Sequence, residues 1–473
     1  MIAPDSKEKV IKTPRRLPFF DGTLLRDLKL GQDAGVAVDE RGDVLQWGTG
    51  YAGDGIEVPE TTLQGKNIDK VVISRDKVIA LSRDSTVYSF PISKKYQLEG
   101  AKPIESSWIP GLSSTARISY RKLKASLGYA EKMTDVAAGL EHALILTSSG
   151  RVFSSAAAFT YPSRGQMGIP GLGWETRPAG KPVDTLQEVT ALGGHRIAQI
   201  AAGDYHSVVL SRSGEVFTFG DNVHGQLGFI YDPESNMVDV PTQLSLAFLY
   251  PPKTTTARVA GIAAGGLNSY FMVDGLEGDS RTARADVLSC GTGIYGGLGN
   301  GRWTHVQAPP VKIRALSGLL EFNEAAQKVV PIRLQSLQAG ATHSAAVMDN
   351  ARQTSAQGSK ACDLSYGCDV VWWGNNEFYQ LGTGKRNNCN VPVYIQPLDG
   401  VPADLGSGSG SRWDSSGITG GAESAGSDRA VAGSDQMHRF QLTPQGRVVG
   451  GKKAVQVVVC GRGNTAVYMK AVN

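Results

Sequence analysis

What this 473-residue chain lacks narrows its class before any motif is read. Its five cysteines, Cys290, Cys362, Cys368, Cys389 and Cys460, are odd in number and contain no CxxC pair. Neither a zinc site nor a disulfide framework is therefore expected, although Cys362 and Cys368 share a loop in which they could oxidise. There is no run of roughly 18 apolar residues, no secretory signal and no Asn-x-Ser/Thr sequon, and the chain reads as soluble. Net charge is only +4, with a pI near 8.6. A balance that mild suits almost any soluble partner and gives no ground for specific DNA binding. Helical periodicity is scarce in the stretches that repeat.

Glycine, at 58 residues, is what the chain has in quantity, and much of it sits in one recurring phrase. The clearest copy runs from residue 200 to 228: IAAGDYHSVVL, SRSGEVFTFG, DNVHGQLG. Its first half returns as VAAGLEHALIL from Val136, IAAGGLNSYFM from Ile262, LQAGATHSAAV from Leu337 and VVCGRGNTAV from Val458, with eroded versions at Leu28 and Val71. The marker glycines Gly139, Gly203, Gly265 and Gly340 stand 64, 62 and 75 residues apart. A period that long makes each copy a supersecondary unit that buries its apolar face only against its neighbours.

Within a unit, Val208 and Leu210, the turn Ser213–Gly214, then Val216, Phe217 and Phe219 spell a β-hairpin. The small residues just before it imply close backbone approach or positive φ at the glycine. Short strands in a long array leave radial closure as the economical solution to the sheet-edge problem, so an all-β propeller is expected. Second-hairpin strands beginning at Asp43, Thr86, Arg151, Glu215, Asp286, Asp369 and Arg447 give seven blades. A stretch at Val431–Leu442 reads as a further degraded copy and leaves an eighth open. The closing copy, Val458–Asn473, has no second half; the strand Gly42–Gly48 is of the missing type, so the two ends are expected to pair and close the ring. The arrangement is then a basic arm over 1–27, carrying Lys7, Lys9, Lys12, Arg15 and Arg16, and a single propeller over 28–473. Insertions are read at 92–132, 229–258, 300–333, 349–368 and 392–430, with 406–428 of low complexity and expected to be disordered.

The search for chemistry returns no catalytic residue, metal set or cofactor site. Two G-x-G-x-x-G matches, Gly48/Gly50/Gly53 and Gly291/Gly293/Gly296, occupy the place of the repeat's own G-x-N-x-x-G and open no helix of a βαβ unit. His142, His206 and His343 share one register with Asn268 and Asn464, and a histidine exchangeable with asparagine reads as a buried hydrogen-bonding device. Gly139, Gly203, Gly265, Gly340 and Gly461, with Gly220, Asn222, Gly374 and Asn376, complete the structural repeat set; the asparagines begin turns. The 92–132 insertion holds eight Lys/Arg against three Asp/Glu with aromatics between them. Trp108, Arg117, Arg121, Lys122 and Lys124 are its candidate partner-binding residues, for an acidic protein, an anionic membrane surface or RNA.

A-A-G-x-x-H-S, then G-x-V-x-x-x-G, then G-x-N-x-x-G-Q-L-G resembles the regulator-of-chromosome-condensation repeat family, whose repeats form seven-bladed propellers closed by the two chain ends. DVVWWGNNEFYQLGTGKRNN at Asp369–Asn388 is similar to fungal mitochondrial members. That resemblance implies a non-enzymatic assembly factor for respiratory complex III at the Rieske iron–sulfur step. It also implies complex III subunits or assembly factors as partners and a location at the inner membrane, with peripheral contact in a chain showing no anchor. The family's other known roles are guanine-nucleotide exchange on a small GTPase and, in a mitochondrial relative, association with ribosomal RNA.

Overall fold

The computed structural model describes residues 10–53, 58–106, 113–230, 236–250, 255–277, 282–323, 326–350, 353–354, 364–365, 367–396, 439–442, 447–449 and 451–472. The strands fall into six sheets of four or more, plus small two-stranded hairpins. One of the six is seven-stranded and joins the first and last units, so the ring has seven inner strands. These are Leu25–Leu30, Ile68–Ile73, Met133–Ala138, Ile197–Ala202, Thr255–Gly265, Leu334–Ala339 and Lys452–Cys460, the last packing on both the sixth and the first.

Seven apolar clusters, one per blade interface, hold this ring. Val36 and Val38 of blade 1 meet Val78 and Phe90 of blade 2, and Ile79 and Leu81 then meet Val136 and Ile145 of blade 3. Leu144 packs on Val209 and Phe217, and Val208 and Leu210 on Phe271 and Val273. Tyr270 packs on Trp373, Trp372 clusters with Val458, and Val459 and Tyr468 close on Leu28 and Trp47. Each second strand thus sends alternate side chains to two different interfaces. That is why its sequence reads as a continuous apolar run, and why Lys77–Ser82, His142–Thr147, His206–Ser211 and His343–Met348 are buried throughout. The first six inner strands each carry a register shift at the same place, between the first and third residues in five of them and between Val259 and Gly261 in blade 5. A bulge repeated at that position re-aims each inner strand toward the axis in the same way.

Three strand assignments are corrected, while the closure of the ring by its two chain ends holds. The strand at Gly42–Gly48 (Val44–Trp47) pairs with Gly35–Asp39 in blade 1 and not with the closing copy. The two ends share their sheet through a single parallel pair, Leu25 with Lys470. The strand Arg447–Val449 pairs with the foot of Lys452–Cys460, so the seventh unit is that strand with Thr465–Ala471. Several supposed insertions contain the blades' outer strands: Arg121–Leu123 in 92–132, Met237–Leu244 in 229–258 and Gln307–Lys312 in 300–333. Outer strands present one edge and one face to water and so lose the repeated apolar phrase; Met237–Leu244 is mostly exposed or half-buried. Gln441–Leu442 pairs with blade 6; 406–428, 431–438, Cys362 and Trp108 lie outside the described residues.

Candidate interaction face

The repeat register builds a relay across blade interfaces. His142 Nε2 lies 2.8 Å from Ser207 Oγ of the next blade, and that hydroxyl donates to the Gln166 carbonyl at 2.9 Å. The same relay links His206, Ser269 and Gln226, and again His343, Thr465 and Gln380. Since each hydroxyl spends its one proton on the glutamine carbonyl, the imidazole must donate from Nε2, which leaves Nδ1 a buried acceptor with no hydrogen-bond partner among the described residues. Burial lowers the three imidazoles from 6.5 to about 3, about 3 and about 4 respectively, so they are neutral at any physiological pH. Asn268 occupies the same register in blade 5, and there the Tyr270 hydroxyl makes the crossing, accepting from Ser344 at 2.9 Å and donating to Gly297 O at 2.5 Å. The fifth member, Asn464, donates to Gly31 O at 3.1 Å.

The marker glycines serve close approach. A Cβ on Gly203 would sit 2.0 Å from His206 Cε1, and one on Gly340 only 2.5 Å from the Gly461 carbonyl; neither glycine has positive φ. Gly220 and Gly374 do, at +112° and +108°. Asn222 and Asn376 accept from Leu227 N and Leu381 N and so shape the loops that follow. In both G-x-G-x-x-G loops the amides are spent internally, Gly53 N on Thr49 O and Gly296 N on Gly293 O, and the first makes only a four-residue helix, Thr49–Ala52.

Antiparallel alternation puts the turns between inner and second strands on the same face as the connections between third and outer strands. Around the axis of that face, Arg75 reaches Tyr205 Oη at 2.8 Å and Glu141 at 3.1 Å, and Arg462 of blade 7 pairs across the opening with Asp204 of blade 4. Burial raises the Asp204 and Glu141 carboxyls despite these arginines. Farther out stand six exposed aromatics: Tyr96, Phe159, Trp174, Tyr295, Trp303 and Phe378, each between 40% and 66% accessible. Tyr96 and Phe159 touch edge to face at 5.6 Å across blades 2 and 3, and the Arg177 guanidinium lies 3.5 Å from the Trp174 ring centroid. Aromatic side chains left in water on one face are the usual anchors of a protein contact.

The basic run is less free than its sequence suggests. Arg121 pairs with Asp184, which is buried and also faces Lys77 at 3.4 Å. Arg117 donates to Gln64 Oε1 at 2.8 Å and Lys122 lies over the Tyr88 ring at 5.9 Å, while Lys124 is exposed. Sequence reasoning missed both the axial charges and the aromatic array. Asp204, Glu141 and Arg462 occupy the variable positions of A-A-G-x-x-H, whose one available signal was their charge.

Comparison with known proteins locates regulator of chromosome condensation (RCC1) repeats at residues 197–226, 213–271 and 370–405. The chain is 22% identical to the mitochondrial protein FMP25 of Saccharomyces cerevisiae, over 81% of this chain and 64% of that one. It is 27% identical to the mitochondrial RCC1 domain-containing protein RUG3 of Arabidopsis thaliana, over 57% of this chain and 56% of that one. To a mouse secretion-regulating guanine nucleotide exchange factor it is 26% identical, over 58% of this chain and 51% of that one. The chain therefore spans about two thirds or less of the length of these relatives. In fold it is similar to the crystal structure of Prp20p from Saccharomyces cerevisiae, with a TM-score of 0.55 at 22% identity, covering 84% of this chain and 82% of that one.

Proposed function

The chain is a propeller built on regulator of chromosome condensation repeats, and on that premise we propose that it is a non-catalytic scaffold that binds protein partners through one face. The observation that carries this is the array of six exposed aromatics around a ring of paired charges, all on loops held by a closed, tightly packed ring. Apolar anchors of that kind, surrounded by polar groups, suit a protein surface better than a phosphate backbone. The likeness to FMP25 along 81% of the chain supports a mitochondrial setting. Within it we assign the chain to inner-membrane-associated assembly of respiratory complex III, at the step involving the Rieske subunit. Among the described residues no helix is long and apolar enough to cross a membrane, so any membrane contact made by them is peripheral on this reading.

The likeness to the mouse exchange factor favours a second reading, guanine-nucleotide exchange on a small GTPase. Exchange requires no acid–base residue, only tighter binding of the nucleotide-free partner than of the loaded one. Crosslinking mass spectrometry of the C-terminally tagged full-length protein in its native cells separates the two. Complex III subunits or assembly factors crosslinked to 92–132 or to the aromatic loops support the scaffold. A GTPase recovered mainly when nucleotide is stripped overturns it in favour of exchange, and ribosomal RNA or ribosomal proteins as the main yield overturn both.

A further inference from the structure

We propose that the face opposite the aromatic array binds an acidic segment of a partner polypeptide, through an arc of cations on blades 3, 4 and 5. The residue just before the repeated bulge is basic in four consecutive blades: Lys132, Arg196, Arg258 and Arg333 precede Met133, Ile197, Val259 and Leu334. Arg212 joins them from the turn between the second and third strands of blade 4, where its amide donates to Arg196 O at 2.8 Å. The Arg258 side chain lies across Gly214 and donates to Arg212 O, so Arg196, Arg212 and Arg258 are contiguous across the interface of blades 4 and 5. Lys132, Arg196, Arg212 and Arg258 are all exposed.

The carboxylates around this arc are already engaged by other groups. Arg151 holds Glu131 at 2.7 Å and Glu188 at 2.8 Å, and its hydrogen bond keeps the Glu131 carboxyl well below the usual range. Glu215 is taken by His195 Nδ1 at 3.1 Å and by the Ser213 hydroxyl at 2.7 Å. Asp274, opposite Arg258 in the ladder, is held instead by Arg333 of blade 6 at 3.0 Å. Among the described residues no carboxylate is bonded to Lys132, Arg196, Arg212 or Arg258. Four like charges on neighbouring turns repel one another until an anion lies against them. In a chain whose net charge is only +4, that concentration is a property of this face.

Shape and composition select the kind of anion. In blade 5 the inner and second strands continue past Arg258 as far as the pair Thr255 and Glu277, a ridge about 10 Å tall at about 3.4 Å per residue. A flat bilayer resting on that ridge would stand off the arginines by more than the Debye length, about 8 Å at physiological salt, whereas an extended chain can lie along its foot. Single-stranded nucleic acid also carries the charge, but it binds by stacking its bases on exposed rings. The arginine-bearing turns, residues 195–197, 211–215 and 257–259, expose no aromatic side chain, and the His195 ring is already 4.6 Å from that of Phe217. Each guanidinium fork fits a carboxylate, and along an extended segment the side chains of one face recur every two residues, about 7 Å apart. The ligand is therefore an extended segment with glutamate or aspartate at alternate positions. This contact goes beyond the scaffold reading and is independent of what the aromatic face binds.

The test titrates the full-length protein into a fluorescein-labelled nonapeptide of alternating glutamate and serine, read by fluorescence anisotropy. Saturable binding is expected, weakening as sodium chloride rises from about 50 to about 200 mM. The same peptide with glutamine in place of glutamate should not bind, a control that involves no altered protein. An Arg196→Gln/Arg212→Gln/Arg258→Gln variant should lose on the order of tenfold in affinity, with its thermal midpoint within about 3 °C of the wild type because the replaced groups are exposed. Arg41→Gln, which removes an exposed arginine from blade 1 on the same face, should bind as the wild type does. No binding, binding of the glutamine peptide, or equal affinity in the wild type and the triple variant overturns the proposal. So does displacement of the peptide by a lower concentration of oligouridylate of equal charge or of phosphatidylserine vesicles, which would assign the arc to RNA or to a bilayer. Partners crosslinked through the aromatic loops alongside a peptide that fails to bind would sink this inference and leave the scaffold standing.

Discussion

Acidification should loosen this propeller well above the pH at which carboxylates titrate, because three of its blade-to-blade relays rest on neutral imidazoles. His142, His206 and His343 are at most 1% accessible, and burial moves them from 6.5 to about 3, about 3 and about 4. The folded-state value lies below the unfolded one, so between them the unfolded chain binds more protons. The stabilisation is then complete above pH 6.5 and is lost progressively as pH falls toward 4. At pH 5, about 1.5 units below the unfolded value, each histidine costs about 2 kcal/mol at 1.36 kcal/mol per unit, or about 6 kcal/mol for the three. That rivals the whole net stability of an ordinary domain, about 5–15 kcal/mol. The assay is guanidinium denaturation at pH 7.5, 6.5, 5.5 and 5.0, in the wild type and in a His142→Asn/His206→Asn/His343→Asn triple variant. Asparagine is the replacement because Asn268 and Asn464 already stand at this register. The wild type should lose most of its stability across the range while the less stable variant shows a nearly flat profile. Equal slopes in the two proteins would refute the assignment of the pH dependence to these residues.

Two further predictions concern packing and buried charge. Gly340→Val should lower the thermal midpoint by more than 10 °C or abolish soluble expression, since its Cβ would lie 2.5 Å from a backbone carbonyl of the next blade that cannot step aside; a shift under about 3 °C would contradict the close-approach argument. Asp184→Asn should cost about 3 kcal/mol in urea denaturation, because Lys77, only 8% accessible, is left as a buried cation without its counter-charge, and Lys77→Met in the same background should recover much of the loss.

The seven-bladed propeller was legible because the repeated phrase encodes the most constrained part of each blade. Runs such as Val208–Leu210 and the small residues before them are dictated by burial on two faces and by contact with the next turn, and those demands leave a narrow choice of side chain. The outer strands were not legible. Arg121–Leu123 and Met237–Leu244 face water along one edge, tolerate polar residues and so read as insertions. The histidine register could be seen in sequence, but its hydroxyl partners Ser207, Ser269 and Thr465 lie 65, 63 and 122 residues away in the next blades, where only ring closure brings them together. The same holds for the candidate face. The pairing of Arg121 with Asp184, the Asp204–Arg462 bridge across the axis and the convergence of Tyr96, Phe159, Trp174 and Trp303 on one side all depend on how the blades are arranged around the axis. Local sequence thus determined what each blade is. The closed ring decided which charges are neutralised and which aromatics are offered to a partner, because those properties belong to contacts between units that no single repeat contains.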